Sequence, residues 1–396
     1  MKKLLTAILS SVAAFGLATS GYGLTIMPTF DSSITTNANG AAMMTAINAA
    51  IQAFQTNYTD NLTVKIMFVN DTNVDLGQSS TWTASYSYAA FLAALQARAT
   101  SVNDTNALSK LTNSSVDPVI GGTSIYTTSA HARLLGLKSG YGPDGFDSTI
   151  SFNMSLMNFT RPPTNSDDYD LLSVAEHEID EVLGTSSYLP GTNLIRPIDL
   201  FRYDTNLNRT FTTNGDNAYL SADGTNLVAR YNMDPGGDYG DWWSVHDTNR
   251  WAPPGVTPHT QVQDAFGAPG GIDDLGVSEF TALDILGYTL AGTTNTTATS
   301  PNITVVSGKG QITLSWPTNF NGLVVLEERT NLSSGSWAYS VSGATNPAVV
   351  PTSLPQKFYR LGPTPPAVGN VVSHEIQPAT PPQYQLDVHV MRRRQF

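Results

Sequence analysis

Apolar residues recur along the first part of the chain at two periods. Between residues 40 and 58, Met43, Ile47, Ile51, Phe54 and Tyr58 are spaced three and four apart, which predicts an amphipathic helix. Leu62, Val64, Ile66 and Phe68 then alternate with polar positions and predict a strand over 62–69. Helical spacing returns over 86–98 (Tyr88, Phe91, Leu92, Leu95) and briefly over 129–137. A short strand is expected at 149–153, after the turn-rich run 140–145. The next helix spans 170–184. Asp167, Asp168 and Asp170 crowd its start, and Gly184 stands where a helix C-terminus favours glycine. At about 100° per residue, Leu171, Leu172, Ala175, Ile179, Val182 and Leu183 fill one apolar arc.

Farther along, short alternating runs at 199–203, 209–213, 219–221 and 227–231 are separated by turn signals at Asn206, Asn214-Gly215 and Asp223-Gly224, the pattern of short strands. Residues 232–276 are rich in Gly, Pro, Asp and Trp and read as ordered loops. Ser278 is placed to cap a short helix that Gly287 ends. An Ala/Gly/Thr/Asn linker occupies 291–302. Residues 303–362 alternate in six short runs, as in a small β-sandwich of the immunoglobulin or fibronectin III kind. The proline-rich stretch 363–396 reads as a disordered tail. The chain of 396 residues is thus expected to be α+β, with a main domain over 24–290 followed by a small all-β module.

Composition narrows the setting. Lys2 and Lys3, the apolar run Leu4 to Leu17 and the small residues Ala18-Thr19-Ser20 form a secretory signal over 1–23. The expected protein is secreted, with no membrane anchor once the signal is removed. The chain has no cysteine, so thiol nucleophiles and thiolate metal sites are excluded. A formal charge of -12 argues against a nucleic-acid partner.

Only 13% of the residues are charged, yet three of the seven glutamates fall within six positions, in Glu176-His177-Glu178-Ile179-Asp180-Glu181. His177, Glu178 and Glu181 fit His-Glu-x-x-Glu, one residue away from the His-Glu-x-x-His helix of zinc hydrolases. Residues i and i+4 project side by side on a helix, so His177 and Glu181 can hold one Zn²⁺ while Glu178 stands beside it as general base. Two carboxylates and one imidazole would make the site more anionic than a histidine-rich one, and harder cations would compete better. The competing reading is a solvated acidic helix with a surface histidine. Glu176 and Asp180, on a third side of the helix, are expected to be solvated. Asp234, Asp238, Asp241, Asp273 and Asp274 could bind Ca²⁺, although no regular calcium-loop spacing supports it. Of the other histidines, His131 reads as structural and His259 as solvent-facing. His374-Glu375 is set aside because Pro378 and Pro381 forbid a motif helix there.

Four ordered blocks carry a resemblance. They are His177 to Gly184, Asp199-Leu200-Phe201-Arg202, Gly237-Asp238-Tyr239-Gly240-Asp241-Trp242 and Ala282 to Tyr288. With the 150–153 strand they make residues 40–290 resemble a family of secreted bacterial zincin-like metalloproteases. The resemblance implies a zincin fold, with a mixed sheet and an active-site helix, and zinc-dependent endopeptidase activity on protein or peptide substrates. By the same analogy the 149–153 strand would bind extended substrate along its edge. The template's third ligand position is Ser187, a poor zinc ligand. Asp199, 18 residues past Glu181, is the first candidate in its place, ahead of His246, Asp204 and Asp241. Asp199 could instead orient Arg202 or cap a turn. Tyr239, Trp242, Trp243 and Trp251 could line a substrate groove or pin loops to a core. Glu181 in place of histidine, together with Ser187, also fits a catalytically silent surface or matrix protein.

Overall fold

The computed structural model describes residues 23–291, apart from 113, 138, 214–216, 245–250 and 255–257, and it further describes strand segments between 304 and 363 and residues 384–393. The predicted signal, most of the linker, His246 and His374-Glu375 lie outside the described residues. Among the described residues no helix is long and apolar enough to cross a membrane.

A mixed sheet forms the centre. β1 (Thr25–Phe30) and β2 (Thr63–Asn70) are parallel, as are β2 and β5 (Ser148–Phe152). The long β3 (Gly77–Ser87) runs antiparallel to β5 and, by its far end, to β4 (Ser124–Thr128). Alternation in β2 turns Val64, Ile66 and Phe68 into the core, where Phe68 stacks on Phe30 and Phe152. The 149–153 strand of the sequence reading is therefore β5. It is paired on both sides, by β2 and β3, so it offers no edge to a substrate.

The helices are α1 (Ser32–Thr35), α2 (Gly40–Asn57), α3 (Tyr88–Arg98), α4 (Val102–Ser109), α5 (Ser129–Leu134), α6 (Leu171–Asp180) and α7 (Val277–Ile285). α2 buries Met43, Ile47, Ala50, Ile51 and Phe54 and packs against α6. The Asp170 carboxylate caps α6 at the Ser173 N–H, 3.0 Å away. After Asp180 the backbone widens into a looser turn over Glu181–Thr185, and Gly184 ends it at φ 132°, a conformation that favours glycine. α6 packs against α2 and β3 and is bonded to the 273–275 loop, so every residue of it except the half-buried Leu172 is buried. Glu176 and Asp180 are accordingly buried, against the solvated positions expected from rotation alone. α7 begins two residues earlier than a Ser278 cap suggests. Its cap is Gly276, whose N–H donates to the Glu279 carboxylate.

The predicted short strands after 198 are mostly fragments. β6 (Met157–Asn158) pairs with β7 (Tyr169–Asp170), and β8 (Arg202–Tyr203), β9 (Tyr219–Leu220) and β10 (Ala229–Arg230) make a small antiparallel sheet. Pro197–Phe201 is a tight helical turn rather than a strand, because the Asp199 carboxylate accepts the Arg196 N–H three residues back. β11 (Phe266–Gly267) precedes α7. In the C-terminal module β12 (Thr304–Gly308), β13 (Gln311–Ser315), β14 (Val324–Arg329), β15 (Ala338–Tyr339), β16 (Ala348–Pro351) and β17 (Phe358–Pro363) form two three-stranded antiparallel sheets, burying Leu314, Leu326 and Ala348.

The expected disordered tail is in part a strand. β18 (Gln385–Arg393) joins the central sheet, antiparallel to β3 from Gln385↔Thr83 to Met391↔Gly77, and it is parallel to β11 at its end. The sheet order is β1-β2-β5-β3-β18-β11, with β4 also on β3. The tripeptide of arginines and the prolines dominate the composition of the tail, and the strand's outward Leu386 and Val388 alternate with the inward Asp387, His389 and Met391.

His131 belongs to the core. Its ring packs between Phe91 and Tyr288. Nε2 lies 2.7 Å from the Leu286 carbonyl and must donate to it, so Nδ1 accepts from the Thr127 hydroxyl at 2.7 Å. Burial pushes this imidazole down to about 4, whereas the unfolded chain titrates near 6.5. As pH falls through that window the unfolded state takes up the proton first, so stability present above pH 6.5 is lost toward pH 4. Urea denaturation of wild type and His131→Gln is expected to show a stability gap that narrows by about 2–3 kcal/mol between pH 7 and pH 4.5. A constant gap would contradict it.

Candidate metal centre

α6 delivers His177, and the loose turn after it delivers Glu181. The loop 237–242, folded over them, delivers Asp241. His177 Nε2 lies 3.8 Å from Glu181 Oε1 and 3.8 Å from Asp241 Oδ2, and the three ligand atoms fall within 4.8 Å of one another. Donors arranged tetrahedrally at about 2.1 Å from an ion lie about 3.4 Å apart, so the set is a slightly open version of a ligand sphere. His177 Nδ1 is 2.9 Å from the Val262 carbonyl and must donate to it, so Nε2 carries the lone pair; it faces the two acids and also lies 3.4 Å from the Gln263 amide nitrogen, which is in a position to donate to it. Burial pushes the imidazole down to about 4, so it is neutral, as a ligand must be. Glu181 Oε1 and Asp241 Oδ2 are buried without a hydrogen-bond partner. Burial drives both carboxyls well above their usual range, and the other acids add to the effect. Two buried carboxylate oxygens without donors are costly, and a cation between them and Nε2 would satisfy both. The residues therefore fit a divalent metal.

Other side chains fix these ligands. The Ser79 hydroxyl of β3 donates to Glu181 Oε2 at 2.5 Å, which leaves Oε1 as the free oxygen. Gln263 Nε2 donates to Asp241 Oδ1 at 3.1 Å, leaving Oδ2 free in the same way. Glu178 follows His177 and is fully buried, with both oxygens unpartnered. Burial pushes its carboxyl well up. It packs on the bare backbone of Gly77, where a Cβ would come within 2.4 Å of Oε1.

A second group, Glu181, Asp238 and His389, also has its ligand atoms within 4.8 Å, but its histidine has no lone pair to give. His389 Nδ1 faces Asp238 Oδ2 at 3.0 Å and Nε2 faces Asp387 Oδ2 at 2.6 Å, so both nitrogens donate to carboxylates. Burial alone would depress this imidazole, but Asp387 and Asp238 together hold it well above its ordinary value. His389 is thus a buried cation beside the acids rather than a ligand.

Asp199, the first candidate for the third ligand, belongs to neither group. Its carboxylate accepts the Ser187 hydroxyl at 2.5 Å, the Arg196 N–H at 2.8 Å and the Tyr188 N–H at 3.3 Å. It ties the 187–199 loop, which is why Ser187 is not a ligand either. Asp204 caps an exposed turn at Asn206 and Asn208. Asp241 is instead the acid whose free oxygen groups with His177 and Glu181. Its loop is held by Arg202, whose guanidinium stacks 4.3 Å from the Tyr231 ring and donates to the Tyr239 carbonyl at 2.7 Å. Trp242 is buried and donates from Nε1 to Glu279 at 2.8 Å, so this ring pins the loop rather than lining a groove. Of the aspartates weighed for Ca²⁺, only Asp238 and Asp241 enter a metal-capable group among the described residues. His259 is exposed, as expected.

Comparison with family models, curated proteins and solved structures gives no match.

Zinc titrated into the purified chain is expected to raise the melting temperature saturably, with about 2.7 kcal/mol of stabilisation at a free ion concentration of 100 Kd. Glu181→Gln and Asp241→Asn should lose that response. Asp199→Asn should keep it while lowering the metal-free melting temperature. Calorimetric scans with and without chelator measure all three, and a zinc response that survives loss of Asp241 would refute this ligand set.

Proposed function

We propose that the chain is a secreted zinc-dependent peptidase of zincin-like architecture, with His177, Glu181 and Asp241 holding the ion and Glu178 as general base. The observation that carries this reading is a neutral imidazole lone pair facing two unpartnered carboxylate oxygens, with a third unpartnered carboxylate beside them. Three donors from nitrogen and oxygen suit Zn²⁺ with an open position better than Ca²⁺, which takes six to eight oxygens. Bound there, the ion would acidify a water and polarise a substrate carbonyl.

The rest of the chemistry falls to the chain. Neither Glu178 oxygen is held in a well-formed hydrogen bond, although the Glu181 carboxyl and the Met391 N–H lie close, so it can take a proton from the attacking water and return it to the amine as the C–N bond breaks. Its raised proton affinity suits a group that must hold a proton between those steps. Gly77 lets the backbone of β3 run against this carboxylate, and Ser79 on the same strand fixes Glu181. The zincin analogy, the four sequence blocks and the export signal support the same reading.

A second reading is a silent relative in which the metal only staples the fold. The near-complete burial of His177, Glu178, Glu181 and Asp241 favours it. Glu178→Gln separates the two. It is expected to lower hydrolysis of an unfolded protein substrate by roughly 10²–10⁴-fold while leaving the zinc-induced shift in melting temperature intact. Equal hydrolysis by both forms removes the role of Glu178, and a zinc response with no hydrolysis by either selects the silent reading.

A further inference from the structure

β18 differs from the other long strands of its sheet in what holds it. β2 buries three large side chains completely, whereas Leu386 and Val388 of β18 are 46% and 49% exposed. Gln385, Arg392 and Arg393 are exposed as well. Of its apolar side chains only Met391 reaches the core, in a hollow lined by Tyr169, Val174, Val262 and Phe266. The strand is fixed instead by its ladder to β3 and by charge. Asp387 pairs with Arg196 and His389, and Asp238 accepts both the His389 ring and the Val390 N–H at 3.0 Å. A backbone ladder plus alternate side chains in polar and apolar seats is how an exposed sheet edge receives an extended peptide. Without β18, β3 would be that edge from Gly77 to Thr83, because its opposite side is taken by β5 and β4. This is also the stretch that touches Glu178 through Gly77 and Glu181 through Ser79.

We infer that the Gly77–Thr83 edge of β3 is a binding site for an extended antiparallel peptide, and that β18 occupies it in cis beside the metal centre. The preferred ligand carries a cationic side chain at the position of His389, facing Asp238 and Glu181, and an unbranched apolar side chain at that of Met391. The site's meaning as a substrate cleft rests on the peptidase reading, but peptide binding does not. Under that reading the C-terminal segment is a built-in inhibitor, and severing it opens the cleft.

The test places a site-specific protease sequence between residues 363 and 384 of the full Glu178→Gln chain, so that bound peptide is not consumed. A fluorescent peptide with the sequence of residues 385–393 is followed by anisotropy. After nicking and dilution the chain is expected to stay folded and to bind the peptide saturably, while the intact chain binds none at the same concentration. A peptide with the Asp387→Lys and His389→Ala changes should bind at least tenfold more weakly. Asp387→Lys in the intact chain should loosen β18 and admit the labelled peptide. The inference is overturned if the nicked, folded chain binds no peptide, if the intact chain binds equally well, if nicking abolishes the thermal transition, or if the intact Asp387→Lys chain still excludes peptide. Peptide binding without hydrolysis by the nicked chain with Glu178 restored would uphold the site and defeat the peptidase reading. Hydrolysis indifferent to nicking and to added peptide would do the reverse.

Discussion

The hydrogen bond from His177 Nδ1 to the Val262 carbonyl sets the terms for the structure around it. It fixes the tautomer and turns the Nε2 lone pair toward the buried carboxyls of Glu181 and Asp241. A buried acid cluster of this kind is unfavourable alone, and the surrounding fold is shaped by that cost. β3 meets the cluster with small residues: Gly77 against Glu178, and the Ser79 hydroxyl on Glu181. The Gln263 amide nitrogen bridges Asp241 and the His177 ring. His389 brings a positive charge from the far end of the chain. Each engages one oxygen or one edge and leaves the inward-facing atoms free.

Legibility followed the chemistry of each element. α2, β2, α3 and α6 could be read from periodicity because their inward positions are large and apolar. β3 could not, although it is the longest strand among the described residues and the one that frames the centre. Its buried positions include Gly77, Ser79, Thr81 and Thr83, so its alternation is one of size and polarity rather than hydropathy. The wall of a polar site must offer hydroxyls and space, which erases the signal by which strands are recognised. β18 failed for a related reason, since its sequence context is proline-rich and its inward residues are Asp387 and His389.

The motif itself was readable: His177, Glu178 and Glu181 converge as their spacing requires. The third donor was not, because spacing in sequence says little about which loop folds back. Asp199 and Asp241 are both acids in matching blocks, but Asp199 has three donors within reach and Asp241 Oδ2 has none. An acid already solvated by backbone and hydroxyl groups gains little from a metal, whereas an orphaned one gains much. That distinction exists only in three dimensions. The Asp-Leu-Phe-Arg block still serves the centre, since Arg202 grips the loop that carries Asp241.

The charge count explains why glutamate can stand at position 181. Two neutral imidazoles and one acid would leave a divalent ion with one net positive charge, whereas His177, Glu181 and Asp241 bring it to zero. Under the proposed reading, such a neutral centre would acidify a coordinated water less, and more would fall to the base. Glu178 is suited to that, being buried, uncommitted and raised in proton affinity. The same neutrality suits the neighbour at His389, whose cation sits beside Glu181 and would be repelled by a positively charged centre. Glu181, the loop acids and the C-terminal strand are therefore a matched set: the carboxylate that would lower the charge of a bound ion also accommodates the cationic His389 next to it.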